Sequence, residues 1–249
     1  MLTLIGLLIG VAIGTTGVGG GVLTAPLLML IFGMPPGTSV GTALLFSSCV
    51  KILSAGLFTA RRKVHGKTLG WLLAGGIPGA LAGPLLLRKL AVAGTQPWIL
   101  LIVGLTVTVT AAFGLLRTRS AGAERKDRSR TLPFFSFPIG LEVGFSSAGA
   151  GALGTVVLFQ RTNLEPAQVV GTDLVFGLAV SACAGGVHMA AGNWDQGVLL
   201  KLLAGGVPGA LAGAFLTGRV PARPLRILVL GWAILLGLLL AGQGLHKLL

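Results

Sequence analysis

Between Met1 and Val50 the chain carries no Lys, Arg, Asp or Glu. A stretch of that length with no charge has no face to offer water. A bilayer accepts it, because a membrane-spanning helix needs only about 20 predominantly apolar residues. Seven further apolar runs follow the opening one, which covers 2–33: 38–60, 68–87, 97–116, 133–160, 167–190, 197–218 and 224–245. Charged residues make up 10% of the 249, against about 25% in soluble domains. The apolar residues are continuous along each run and do not alternate, so the runs read as helices and not as barrel strands. The expected class is an all-α polytopic membrane protein.

The net charge of +13 resembles a nucleic-acid signal, but the basic residues sit between apolar runs, where topology signals belong. No nucleic-acid partner is expected. Cys49 and Cys183 lie in apolar runs without metal-ligand or disulfide spacing. The N-terminus lacks a basic region and a small-residue cleavage site, so residues 1–11 read as mature structure.

The chain is written twice. Residues 72–83 are LLAGGIPGALAG and residues 202–213 are LLAGGVPGALAG, at an offset of 130. The same offset pairs Gly14 with Gly144, Gly19 with Gly149, Gly21 with Gly151, Pro36 with Pro166, Val40-Gly41-Thr42 with Val170-Gly171-Thr172, and Phe46 with Phe176. This is an internal duplication of a four-run unit. It divides the chain into a first transmembrane repeat (1–116), a charged linker (117–132) and a second repeat (133–249).

The opening run of each repeat is too long for one crossing. As a single helix, 2–33 would extend about 48 Å, against a hydrocarbon core of about 30 Å. TTGVGGG interrupts it at 15–21, and SSAGAGA interrupts its copy at 146–152. Glycine is costly inside a helix. A backbone break at membrane depth is tolerated only where protein or a cavity satisfies the freed groups. Both runs therefore read as broken or re-entrant hairpins. Each repeat then crosses an odd number of times and the two repeats are inverted. On that topology, fourteen Lys and Arg fall on the side of the 117–130 linker and four on the other, Lys51 left aside. The linker is expected to be cytoplasmic.

The two glycine clusters are the candidate substrate site. A half-helix starting in each would aim its N-terminus at the midplane, where free N–H groups bind anions. The candidate substrate-binding residues are Thr15, Thr16, Gly19, Gly20, Gly21, Thr42 and Lys51 from the first repeat. From the second they are Ser146, Ser147, Gly149, Ala150, Gly151 and Thr172. Asp173 and Glu142 are candidates for carrying a coupling proton, because ionisable groups inside apolar runs are functional by default. Each has a plainer reading. The glycines also serve close helix packing, the threonines also serve as caps, and Lys51 also serves as a partner for Asp173 or a snorkelling base. His188 reads as a packing or capping group near a membrane face. In the LLAGG repeats, glycines four apart line one helix face and favour close helix contact over substrate contact. No enzyme signature, metal-ligand pattern or cofactor motif is present in the sequence.

GTTGVGGGVLTAPLL at 14–28, PPGTSVGTALL at 35–45, SSAGAGALGTVVLF at 146–159 and VVGTDLVFGLAVSACAGGVHMAAGNWD at 169–195 together resemble the TauE/SafE family of permeases, the sulfite exporter family. The resemblance covers nearly the whole chain. It implies a multi-pass transporter of small sulfur-containing anions in a bacterial or archaeal inner membrane. By that resemblance the expected activity is export of a sulfite-like oxyanion by alternating access. The alternatives are uptake of an organosulfonate or another small organic anion, and, in a different class, a non-transporting membrane scaffold or assembly factor. The expected partners are the anion, protons as coupling ion and the lipid bilayer. Ala150 and Val156 depart from the family pattern, so the two half-sites are not equivalent.

Overall fold

The structure is a computed structural model that describes residues 1–16, 20–92, 95–116, 128–149, 151–216 and 222–248. The candidates Gly19 and Ala150, and residues 117–127 of the charged linker, lie outside the described residues. Ten α-helices occur among the described residues: α1 (Leu2–Thr16), α2 (Gly21–Phe32), α3 (Pro36–Ala60), α4 (Gly66–Val92), α5 (Gln96–Leu116), α6 (Leu132–Ser146), α7 (Leu153–Arg161), α8 (Pro166–Ala190), α9 (Gln196–Leu216) and α10 (Ala222–His246). No strand occurs among them. Six helices are long and apolar enough to cross a membrane: α3, α4, α5, α8, α9 and α10. Large apolar side chains such as Leu8, Ile31, Val109, Phe134 and Phe215 are exposed on the outside of the bundle, as lipid contact requires.

The helix limits follow from local chemistry. Proline opens α3 at Pro36 and α8 at Pro166, positions where its missing N–H costs nothing. Gly33 closes α2 in the left-handed conformation, at φ +62°. The opening run of each repeat is two helices, α1 with α2 and α6 with α7. The second break is built by Ser147 at φ +64° and by Gly149 and Gly151 at φ +92° and +91°. At the latter two positions a Cβ would meet steric conflict with the backbone, so only glycine takes them readily.

The helices of the two halves interlock. α1 runs parallel to α9: Gly6 meets the backbone of Leu202, Gly10 that of Gly206, and Gly14 that of Ala210. α6 runs parallel to α4 in the same way, with Gly75 against Pro133, Gly79 against Phe137 and Gly83 against Leu141. Gly75, Gly79 and Gly83 of one LLAGG copy and Gly205, Gly209 and Gly213 of the other thus form backbone-to-backbone seams, and a Cβ at any of these six would run into main-chain atoms. The buried rings of Phe176 and Phe46 close over Gly76 and Gly206 respectively.

At the centre, α3 and α8 run antiparallel. Gly41 near the start of α3 lies against His188 and Asn193 at the end of α8, and Gly171 near the start of α8 lies against Phe58 and Lys63 at the end of α3. Between these ends, the Lys51 ammonium meets the Ser181 hydroxyl at 3.4 Å, two positions 130 apart in sequence. α5 and α10 also run antiparallel, with Gly104 against Gly237 and Ala241, and Gly244 against Leu101 and Pro97.

The seams make a direct prediction. Gly79 and Gly70 both lie in α4, but a Cβ at Gly70 meets nothing within 4 Å whereas one at Gly79 meets the Phe137 and Leu141 backbone. Gly79→Ala should destabilise by about 1–3 kcal/mol through overpacking. Gly70→Ala should be neutral or slightly stabilising through helix propensity. Melting temperatures in detergent, compared between the two variants, check this.

Candidate substrate site at the two helix breaks

The two glycine breaks, far apart in sequence, meet in space. Gly21, the first residue of α2, sits directly against the carbonyl and hydroxyl of Ser147, so closely that a Cβ there would overlap them. The Ser147 Oγ is buried and has no hydrogen-bond partner. The left-handed backbone at Ser147 turns that hydroxyl toward α2 and away from the helix it terminates. The N-terminus of α2 is not capped by a side chain, so its first N–H groups and the Ser147 hydroxyl share one location.

The other predicted hydroxyls are engaged. Thr15 donates to the Val11 carbonyl at 2.8 Å and Ser146 to the Glu142 carbonyl at 3.1 Å. Thr42 accepts from the backbone N–H of Asp195, and Thr172 from that of His65, each at 3.0 Å. These two bonds are copies of one another at the offset of 130. Each ties the start of α3 or α8 to the residue that precedes the fourth helix of the opposite half, α9 or α4. Thr42 and Thr172 thus hold backbone at the antiparallel crossing. The Thr16 side chain, like Gly19 and Ala150, falls outside what the structure describes. Gly20 is fully enclosed against Ile13 and Ile9 of α1.

Two charged candidates come together beside the second break. Lys51 and Asp173 are 2% and 4% exposed, too little for either to reach water by snorkelling. They do not form an ion pair: among the described residues the ion pair present is Lys63 with Glu165, at 3.5 Å. Lys51 donates to Ser181 instead. The Asp173 carboxylate accepts from Thr155 at 2.7 Å and lies against Gly154, and its other oxygen is buried without a partner. The cations acting on it are Lys51 and Arg226 of α10. Glu142 flanks the same break. Its carboxylate accepts from Thr110 of α5 and lies beside Gly149, facing a 340 Å³ cavity lined by Leu105, Val109, Phe113 and Leu153. Both proton-carrying candidates thus border SSAGAGA, Asp173 at Gly154 and Glu142 at Gly149.

Sequence reasoning did not single out Ser181, Thr155, Thr110 or Arg226. Ser181 was available from the duplication, since it is Lys51 carried forward by 130. Arg226 sits at the edge of an apolar run and reads there as a topology charge; only the fold turns it toward Asp173. His188 donates its Nε2–H to the Gly144 carbonyl, 3.1 Å away, and packs at the end of α8.

The threonine ties predict a stability effect separate from any transport effect. Thr172→Val leaves the His65 N–H without its acceptor and should cost about 1–3 kcal/mol. Thr172→Ser keeps the oxygen and should lose much less. Thermal unfolding of the two variants in detergent distinguishes them.

A family comparison supplies the wider context. The model of the family described as "Sulfite exporter TauE/SafE" matches residues 2–240. Two relatives from Bacillus subtilis (strain 168) are similar over almost the whole chain. The probable membrane transporter protein YjnA is 28% identical over 94% of this chain and 96% of its own length. The probable membrane transporter protein YtnM is 30% identical over 93% of this chain and 78% of its own. No solved structure matches the chain. The glycine breaks, the duplicated small-residue helices and the full-length family match agree: the chain belongs to the TauE/SafE sulfite exporter family of membrane transporters.

Proposed function

We propose that the protein is a secondary transporter that exports a small sulfur oxyanion, sulfite or a close analogue, by alternating access. One observation carries this reading: the free, buried Ser147 hydroxyl of one break stands against the uncapped N-terminus of α2 at the other. An unsatisfied donor beside a helix N-terminus without a side-chain cap suits a desolvated anion, because it offers a hydrogen bond and a positive dipole end without a fixed counter-charge. Lys51 supplies a buried positive charge on the central crossing.

In this reading the two halves are inverted repeats in the membrane, supported by the antiparallel run of α3 against α8 and of α5 against α10. Rocking of one half against the other then exposes the breaks to each side in turn. Asp173 carries a coupling proton. Protonation removes its hold on Lys51 and Arg226, which leaves those cations free for the anion.

Flux of sulfite into or out of proteoliposomes tests the assignment. Ser147→Ala removes the free donor and should lower flux about tenfold, the scale of a hydrogen bond to a charged group. Gly20→Leu should stop flux. Asp173→Asn should retain sulfite–sulfite exchange and lose the acceleration by an imposed pH gradient. Wild-type flux in both Ser147→Ala and Gly20→Leu would remove the breaks from the substrate path. Inhibition by an organosulfonate at lower concentration than sulfite would move the substrate to that class.

A further inference from the structure

A recess of 580 Å³ opens at one end of the bundle, where the start of α3, the end of α4, the start of α5 and the end of α8 converge. Its lining includes Pro35, Gly37, Thr38, Arg88, Gln96 and Asn193, and no acidic residue among the described residues. A neighbouring cavity of 280 Å³ shares Arg88 and Asn193 with it and is lined by His188. His188 is 1% exposed, and its Nδ1 has no hydrogen-bond partner. The Asn193 amide lies over Gly37, within 3.6 Å of where a Cβ would stand. Two helix N-termini, those of α3 and α5, therefore face one recess together with a guanidinium and an amide, and a buried imidazole nitrogen without a partner belongs to the cavity beside it.

The other half shows what this arrangement lacks. At the start of α8 the chain supplies its own anion: Glu165 caps the helix through a reciprocal capping box with Gln168 and pairs with Lys63 at 3.5 Å. The duplication places Pro35 where Glu165 stands and Asn193 where Lys63 stands. The start of α3 has no side-chain cap. One copy of the same helix start thus carries a built-in carboxylate. The other presents its N–H groups to an open recess with Arg88 beside it.

We infer that this recess is a second anion site, which takes a small oxyanion in the position the Glu165 carboxylate holds at the other end. Its part as an antechamber to the central breaks rests on the transport reading above; its binding of an oxyanion does not. The N-termini of α3 and α5 supply backbone donors, Arg88 supplies paired donors to two oxygens, and the His188 Nδ1, whose ring donates its Nε2–H to Gly144, accepts from a protonated oxygen of the anion. The recess lies at the end of the bundle opposite Leu116 and Arg128, which flank the charged linker.

Equilibrium binding of radiolabelled sulfite to the full chain in nanodiscs tests this. Wild-type protein should bind at two classes of site. Arg88→Gln should weaken one class by roughly tenfold or more. The double variant Pro35→Glu with Asn193→Lys rebuilds the self-capped arrangement of the other half and should remove that class while the second remains. Arg88 is exposed and can be replaced without touching the core, so Arg88→Gln decides the matter if the double variant fails to fold. Binding indifferent to Arg88→Gln overturns the inference, whether the wild type shows one class of site or two. Arg88-dependent binding without flux in proteoliposomes would leave this site standing and remove the transport reading. Flux with binding indifferent to Arg88→Gln would do the reverse.

Discussion

The architecture depends on one crossing. α3 and α8 are copies of one sequence element, and they meet antiparallel with Lys51 against Ser181 near the middle. Two copies of one helix that pack antiparallel fix the relation of everything attached to them. The paired hydrogen bonds from Asp195 to Thr42 and from His65 to Thr172 tie each end of the crossing to the opposite half. The glycine seams of α1 on α9 and of α6 on α4 then lock the halves together by backbone contact, where no side chain intervenes. In a bilayer this suits the energetics, because helices associate through close packing and not through the expulsion of water.

That frame brings the two interrupted runs to one place. Each break leaves helix-end N–H groups without intrahelical partners, and such groups persist at membrane depth only where protein or a cavity answers them. The copies answer differently. Around the second break, Ser147, Thr155, Asp173 and Glu142 provide a polar wall. The first copy has Gly17, Ala25, Ala43 and Ala12 at the matching positions and no acid among them. The ionisable groups thus stand on one side of a shared location, with the buried Lys51 contributed by α3.

Much of this organisation was legible in the sequence. Continuous apolar runs gave the helices, because membrane helices satisfy their backbone internally and leave a strong local signal. The offset of 130 marked matching elements, and the glycine clusters marked the breaks. The roles of individual polar residues were less legible. Thr42 and Thr172 read equally as site hydroxyls and as backbone ties, since only the fold brings Asp195 and His65 to them. Lys51 and Asp173 read as a substrate ligand and a proton carrier, with mutual pairing as the plainer alternative, yet Lys51 donates to a serine on the facing helix and Asp173 accepts from Thr155. Arg226 carried no local mark. In each case the missing information was a contact between the halves, and periodicity within one helix does not encode it.

The central claim is that equivalent ends of α3 and α8 point to opposite sides of the membrane. Arg61 and Ala191 follow these helices at matching positions and are both exposed. In a background with Cys49 and Cys183 replaced by Ala, single Arg61→Cys and Ala191→Cys variants can be labelled in intact cells with a membrane-impermeant thiol reagent. The account predicts that Ala191→Cys is labelled from outside and Arg61→Cys only after the membrane is opened. Labelling of both from the same side would contradict it.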